Sequence, residues 1–315
     1  MSKKPSRSLS AQLEQLIIPF RINESAKFHL RSHKTDRRGG LDKDEGEGIL
    51  AANRERLIDF QEKLYAQDRW SVLLILQGLD AAGKDSAIKA IFEGVNPQGC
   101  EVTSFRPPTS LELEHDFLWR CVLALPKRGR IGIFNRSYYE ECLVPRVHPE
   151  LLRQAKVPPR LITKNIWRER FEDIVALERY LARNGTVILK FFLNISKEEQ
   201  RQRFLSRLEQ PSKIWKFSMD DVTERARWNR YQAVYQDIVR HTSTPVAPWY
   251  VVPSDHKWFT RVVIGSVIVK ALEGLDLKFP RADKASHKEF TRVRERLEQE
   301  GKRGTKRATR KLAKK

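Results

Sequence analysis

Short apolar runs alternate along this chain with longer stretches whose apolar residues recur every three or four positions. Val72 to Leu76 form one such run, a buried strand, and Ala87, Ile88 and Ile91 behind it take helical spacing. Glu101 to Phe105 alternates as a second strand, stopped by Pro107 and Pro108. Arg130 to Asn135 (RIGIFN), Thr186 to Leu193 (TVILKFFL) and Trp249 to Val252 supply three more. The spacing predicts helices over Ile49 to Tyr65, Leu111 to Leu125, Ile162 to Leu181, Lys197 to Leu208, Asp220 to Val239 and Trp258 to Leu275. Strands parted by helices need crossovers. The pattern therefore predicts an α/β protein: a largely parallel sheet between two helical layers.

The two ends break the pattern. Residues 1–48 read as a polar arm with Gly39, Gly40, Gly46 and Gly48 and no clear period, expected to wrap the body. After Pro280 the composition turns basic: Lys302, Arg303, Lys306, Arg307, Arg310, Lys311, Lys314 and Lys315 follow Glu300 with no acid among them. That tail reads as disordered or frayed, serving either polyanion tethering or solubility. The expected organisation is an arm (1–48), one domain (49–279) with a lid at about 200–240, and a basic tail (280–315), since 315 residues allow one large α/β unit.

Charge narrows the partner. Sixty Lys and Arg face 40 Asp and Glu, a net charge of +20, which favours a polyanionic partner. Cys100, Cys121 and Cys142 are odd in number and form no C-x-x-C, and the seven histidines lack metal-ligand spacing. The N-terminus has no apolar segment of signal-peptide type, and Val262 to Leu272, broken by Ser266 and Lys270, is too short to span a bilayer. A cytoplasmic protein without a membrane partner is expected.

The chemistry lies between the first strand and its helix. Gly78-Leu79-Asp80-Ala81-Ala82-Gly83-Lys84 matches G-x-x-x-x-G-K, the phosphate-cradling loop. Its glycines let backbone N–H groups of the loop, Ala81 and Ala82 included, turn toward phosphate oxygens, while Lys84 adds a point charge at a helix N-terminus. Where Ser or Thr usually meets Mg²⁺ this chain has Asp85, with Ser86 one step on. Two carboxylates beside a polyanion call for a divalent cation, so Asp80, Asp85 or both are expected to hold Mg²⁺. The alternatives are a turn-forming Asp80 and an Asp85 that merely complements the helix dipole.

A second group closes the RIGIFN strand. The acid that usually ends this strand beside a phosphate loop is absent, and Asn135-Arg136 stand there instead. Arg136, at a strand's carboxyl end, is expected to neutralise a transferring phosphoryl group, with a structural ion pair as the rival role. Glu140 and Glu141 follow, able to face the metal or a nucleotide. Further on, Arg201, Arg203, Arg207, Lys213 and Lys216 precede Arg225, Trp228, Tyr231 and Tyr235, as in a cationic lid; Trp228 and Tyr231 also fit an aromatic core stripe. No nucleophile elbow or Cys/His pair supports covalent chemistry, and in-line phosphoryl transfer requires none.

GLDAAGKDS (78–86), VNPQG (95–99), GRIGIFNRSYYEE (129–141), ISKEEQRQRF (195–204), WKFS (215–218) and APWYVVPSDHKW (247–258) together resemble the polyphosphate kinase 2 family. KLYAQ (63–67) and HDFLWR (115–120) fit it as well. The resemblance implies a P-loop kinase fold similar to thymidylate kinase with a helical lid, and Mg²⁺-dependent transfer between inorganic polyphosphate and AMP, ADP or ATP. It makes Asp80 the metal-linked acid, Lys84 the phosphate-gripping base, Arg136 a contact of the transferring phosphate, and Arg203 a lid cation; Arg207, on the same predicted helix, is expected at the phosphates. Asn135 before the Glu140–Glu141 pair looks like the branch accepting both nucleoside mono- and diphosphates, although that branch often has Asp where Glu141 stands. A homo-oligomer is also implied. The rival readings are an ATP-dependent nucleoside monophosphate kinase, and a nucleic-acid-binding protein working through its tail, which no recognised nucleic-acid motif supports.

Overall fold

The computed structural model describes residues 9–214, 218–281, 283 and 287–300. Five parallel strands form its centre: β1 (Ser71–Gln77), β2 (Cys100–Ser104), β3 (Ile131–Asn135), β4 (Thr186–Asn194) and β5 (Trp249–Pro253). Their order is β2-β3-β1-β4-β5. Leu76 lies level with Asn135 of β3 and Phe191 of β4, so the carboxyl ends of the three central strands share one edge. The chain leaves β1 for β2 and β3 on one side, then crosses to β4 and β5 on the other. A topological switch point therefore opens beside the end of β1, where sheets of this kind bind ligands.

The alternation of β1 divides the interior. Val72, Leu74 and Leu76 face one core, with side chains from α1 (Leu9–Ile17), α2 (Lys43–Gln67), α3 (Lys84–Ile91) and α12 (Lys257–Glu273). Leu73 and Ile75 face the other, with α4 (Trp119–Leu123), α5 (Glu140–Val147), α7 (Ile166–Arg183) and α11 (Trp228–Thr242). Between them in sequence lie α6 (Pro149–Gln154), α8 (Lys197–Glu209), α9 (Pro211–Ile214) and α10 (Met219–Arg225). The two-faced parallel sheet is as the sequence pattern requires. Among the described residues no helix is long and apolar enough to cross a membrane; the apolar run in α12 is core.

Several boundaries differ from expectation, each for a local reason. α2 begins at Lys43, not Ile49, because Asp42 and Glu45 exchange capping bonds at 2.9 Å each way. Gly46, read as part of a loose arm, lies inside this helix; a Cβ there would come within 2.3 Å of the Trp258 ring. The arm buries Leu13, Ile17, Phe20, Phe28 and Leu30 in the two cores. The expected helix over 111–125 is instead one tight turn (Glu112–Glu114) and the short α4, separated where Asp116 Oδ1 accepts from the backbone of Leu118 at 2.9 Å. The predicted helix from Asp220 is broken into α10 and α11.

Residues from Phe279 on form a separate unit. It carries a helix over 287–300 with every residue exposed, within the tail expected to be disordered or frayed. Lys216, most of the WKFS block, and the tail cations from Lys302 lie outside the described residues.

Candidate active site

The loop after β1 takes the shape its sequence predicts. Gly78 has φ +156°, and a Cβ there would sit 3.0 Å from the carbonyl oxygen of Leu193, so the loop needs glycine to pass that close to β4. Ala81 (φ +61°) and Gly83 (φ +108°) are left-handed. Left-handed residues at such spacing gather N–H groups into an anion-binding nest, and α3 starts at its rim. Lys84 is 8 % exposed, and its ammonium donates to the carbonyl of Gly78 at 2.6 Å. Burial, then the charge of Arg136, pull its pKa down to about 8 against the opposing pull of Asp80, Glu140 and Asp85. Ser86 Oγ donates to Gly83 O at 2.9 Å and so braces the loop.

The strand ends supply the surrounding charges. Asn135 Nδ2 donates to Asp85 Oδ1 at 2.8 Å, so the residue standing where an acid was expected steers the loop's own acid. Arg136 is left-handed (φ +68°) although it carries a side chain. That conformation turns its guanidinium over the loop, where Nη2 donates to Asp80 Oδ1 at 2.6 Å. Glu140, a turn later on α5, lies 3.8 Å from Arg136 Nη1. Glu140 raises the pKa of Arg136, against burial and with help from Asp80, while burial raises that of Glu140 itself. Gln77 donates to Glu140 Oε1 at 2.7 Å in the amide orientation that satisfies both its ends.

Asp80, Asp85, Lys84, Arg136 and Glu140 come together around the loop. Glu141 pairs with Arg120 at 2.8 Å beside α4, where it lines the cavity toward β2 together with Arg136 and Glu140. Among the described residues no three His, Cys, Asp or Glu side chains form a protein-only metal cage. Asp80, with a side chain 37 % exposed, and Asp85 fit the way Mg²⁺ is commonly held at phosphate sites, through one or two carboxylates with substrate oxygens completing the shell.

The lid helix α8 corrects the expectation for Arg203. Its guanidinium is spent inward: Nη1 donates to the carbonyls of Ala81 and Ala82 at 2.9 Å each, Nη2 to those of Ser254 (2.5 Å) and Asp255 (3.2 Å), and Nε to Glu199 (2.7 Å). Five N–H donors meet five acceptors, which leaves none for a phosphate. Arg203 clamps the outside of the loop. Arg207, expected at the phosphates, lies 3.5 Å from Asp221 of α10 and stacks on Phe204.

Two cavities meet at Arg136 and Glu140, which line both. One, about 60 Å³, lies in front of the loop and is walled by Asp80, Gln200, Asp221, Arg225 and Tyr231. The other, about 240 Å³ and mostly apolar, lies toward β2 among Phe105, Pro107, Pro108, Leu113 and Val144, with Arg106 and Arg120 at its wall. Sequence reasoning missed Asp221, Glu224 and Gln200. An acidic pair, Asp220-Asp221, opening a helix in an otherwise basic lid was the available signal for the first. Glu224 receives Tyr231 Oη at 2.5 Å, and Gln200 donates to the Asp80 carbonyl at 2.9 Å. Tyr231 is buried in the core and Trp228 is half-buried, and both line the loop cavity.

A parallel sheet in this order, with a glycine-bounded phosphate loop at its switch point and an arginine held over it, defines a P-loop phosphotransferase of the kinase type. The chain belongs to the polyphosphate kinase 2 family, whose model matches residues 40–280. It is 48 % identical over 250 residues to an ADP-polyphosphate phosphotransferase of Rhodopseudomonas palustris, covering 79 % of this chain and 86 % of that one. It is 42 % identical over 271 residues to an AMP/ADP-polyphosphate phosphotransferase of Meiothermus ruber, covering 85 % and 97 %. The crystal structure of polyphosphate kinase 2 from Arthrobacter aurescens TC1 superposes with a TM-score of 0.80 at 36 % identity, over 88 % of this chain and 96 % of that one.

Proposed function

We propose that this protein transfers the terminal phosphoryl group of inorganic polyphosphate reversibly to AMP or ADP, directly and without a covalent intermediate. The observation that carries this reading is the position of Arg136 and Glu140 on the shared wall of the two cavities. Polyphosphate would lie along the loop, with its last phosphate against the nest and Lys84. The nucleotide would enter the apolar chamber and direct its phosphate end at Arg136. That arrangement brings donor and acceptor into line across one cation, which spreads the charge developing on the transferred group. Mg²⁺, held by Asp80 and Asp85, would neutralise donor and acceptor oxygens. Gln200 fixes the backbone of Asp80, Asn135 fixes the side chain of Asp85, and the lid around Arg225 and Tyr231 limits water at the loop.

The strongly basic chain suits a donor carrying about one charge per phosphate, so binding should weaken as salt rises. The three cysteines are free thiols, which fits a reducing compartment; the cytoplasm is the proposed location, and a homo-oligomer is proposed on family resemblance. The deciding experiment supplies the purified protein with Mg²⁺, AMP or ADP, and long-chain polyphosphate or ATP as donor, and follows ATP or ADP formation. Turnover with polyphosphate is expected for both acceptors. Exchange with ATP alone would replace this reading with an ATP-dependent monophosphate kinase.

A further inference from the structure

Beneath the active-site turn lies a charged pair sealed from solvent. Lys190, in the middle of β4, and Glu178, on α7, are 2.6 Å apart with side-chain exposures of 0 % and 1 %. The Lys190 ammonium spends all three donors: on Glu178 Oε2, on Tyr139 Oη at 2.9 Å, and on the carbonyl of Thr242 at the end of α11 at 2.7 Å. Glu178 Oε1 accepts from the hydroxyls of Tyr138 (3.0 Å) and Tyr139 (2.8 Å). The Lys190 ammonium also faces the rings of Tyr139 and Trp249, and Trp249 Nε1 donates to Thr242 Oγ1 at 2.8 Å.

Such a pair is a poor way to gain stability. Desolvating both charges costs several kcal/mol, and a well-packed apolar pair of similar volume is often as stable or more so. What the pair supplies is direction. Tyr138 and Tyr139 are two of the three residues between Arg136 and Glu140, the charged residues on the shared wall of the cavities. Both rings are fully buried, and the backbone of Tyr139 donates to Ser137 Oγ at 3.2 Å. The left-handed Arg136 is an uncommon conformation for a residue with a side chain, and it holds only if the following residues are fixed.

We propose that Glu178 and Lys190 are positioning residues for phosphoryl transfer: through the tyrosine hydroxyls they pin the turn that presents Arg136 and Glu140 between donor and acceptor. The proposal rests on the transfer reading given above. It assigns the pair no contact with substrate. Its effect is on the orientation of two side chains, so it should act on the chemical step more than on binding.

The test replaces the pair by apolar residues of similar size, Glu178→Leu with Lys190→Met, and separately removes the hydroxyls with Tyr138→Phe and Tyr139→Phe. Each double variant is expected to lose about tenfold or more in kcat, with the KM of polyphosphate and of nucleotide nearly unchanged. The melting temperature of the apolar pair should fall, because the buried hydroxyls of Tyr138 and Tyr139 and the carbonyl of Thr242 lose their partners. A folded variant with the parent's kcat, or a loss confined to KM, overturns the proposal. If the apolar pair fails to fold, the tyrosine variant decides by the same criteria. A parent protein without polyphosphate turnover would refute the function and leave the network to a second readout, the ¹⁵N–¹H signal of the Arg136 guanidinium. That signal is expected to move toward the free-arginine position in both variants, and an unmoved signal overturns the positioning role.

Discussion

Arg136 and Asp80 hold each other at 2.6 Å across the gap between the end of β3 and the loop after β1. Each is also the group the other's ligand wants. A divalent cation competes with Arg136 for the Asp80 carboxylate, and a phosphate competes with Asp80 for the guanidinium. On the proposed reading, a metal ion held by Asp80 would release Arg136 toward the transferring phosphoryl group. Asp80→Asn should raise the Mg²⁺ concentration for half-maximal activity by about tenfold, since a neutral amide is a weaker ligand for this hard cation. A Mg²⁺ titration superimposable on the parent's would remove Asp80 from the metal site.

Lys84→Ala should cut kcat/KM for polyphosphate by about a thousandfold, the upper range for deleting one preorganised charge at a transition state. The fold should survive, and the melting temperature should hold or rise, because the ammonium it removes is almost fully buried. Near-parental turnover would count against the loop assignment.

Lys84 also gives the enzyme an alkaline limb. With its pKa drawn down to about 8 by burial and Arg136, against Asp80, Glu140 and Asp85, the free enzyme loses this cation as pH rises through that value. The profile of kcat/KM for polyphosphate should fall with a midpoint near 8, while that of kcat should fall later, because bound phosphates restore the proton. Titration of Lys84 does not itself favour unfolding, as the sign shows. The folded value lies below the ordinary 10.5, so in the window between the two the unfolded chain binds the extra proton and this group adds stability as pH rises. A kcat/KM that stays flat through that window would exclude Lys84 as the titrating group.

Arg203→Ala should destabilise the protein by about 3 kcal/mol, since it strips partners from buried carbonyls and from Glu199. Turnover should fall to the same degree with long and short polyphosphate, because the residue acts on the loop and not along the chain of phosphates. A loss that grows with polymer length, measured with size-fractionated donors, would return Arg203 to the lid's phosphate-facing side.

The loop and the strands were legible because both are local: a glycine-bounded motif between a buried run and a helical one admits few conformations. The Arg203 clamp was not, since two of its acceptors, Ser254 and Asp255, come from the far side of β5, and helical spacing tells which face a cation takes but not what it meets there. In a chain of net charge +20, almost any arginine near a phosphate loop invites a ligand-facing role. The arm was legible only as a segment expected to wrap the body. Leu13, Ile17 and Phe20 do fall at helical spacing, but over a stretch too short to stand out, and only contact with the two cores shows that they, Phe28 and Leu30 are interior. The split between the two acids belongs here too: neighbours on one helix point roughly a quarter-turn apart, so Glu140 meets Arg136 while Glu141 meets Arg120 on the wall of the cavity toward β2.

By tying Ala81, Ala82, Ser254 and Asp255 to α8, Arg203 welds the base of the lid to the body of the enzyme. A cradle held in this way should keep its shape with and without ligand, since distorting it against β5 means parting four hydrogen bonds of one buried guanidinium.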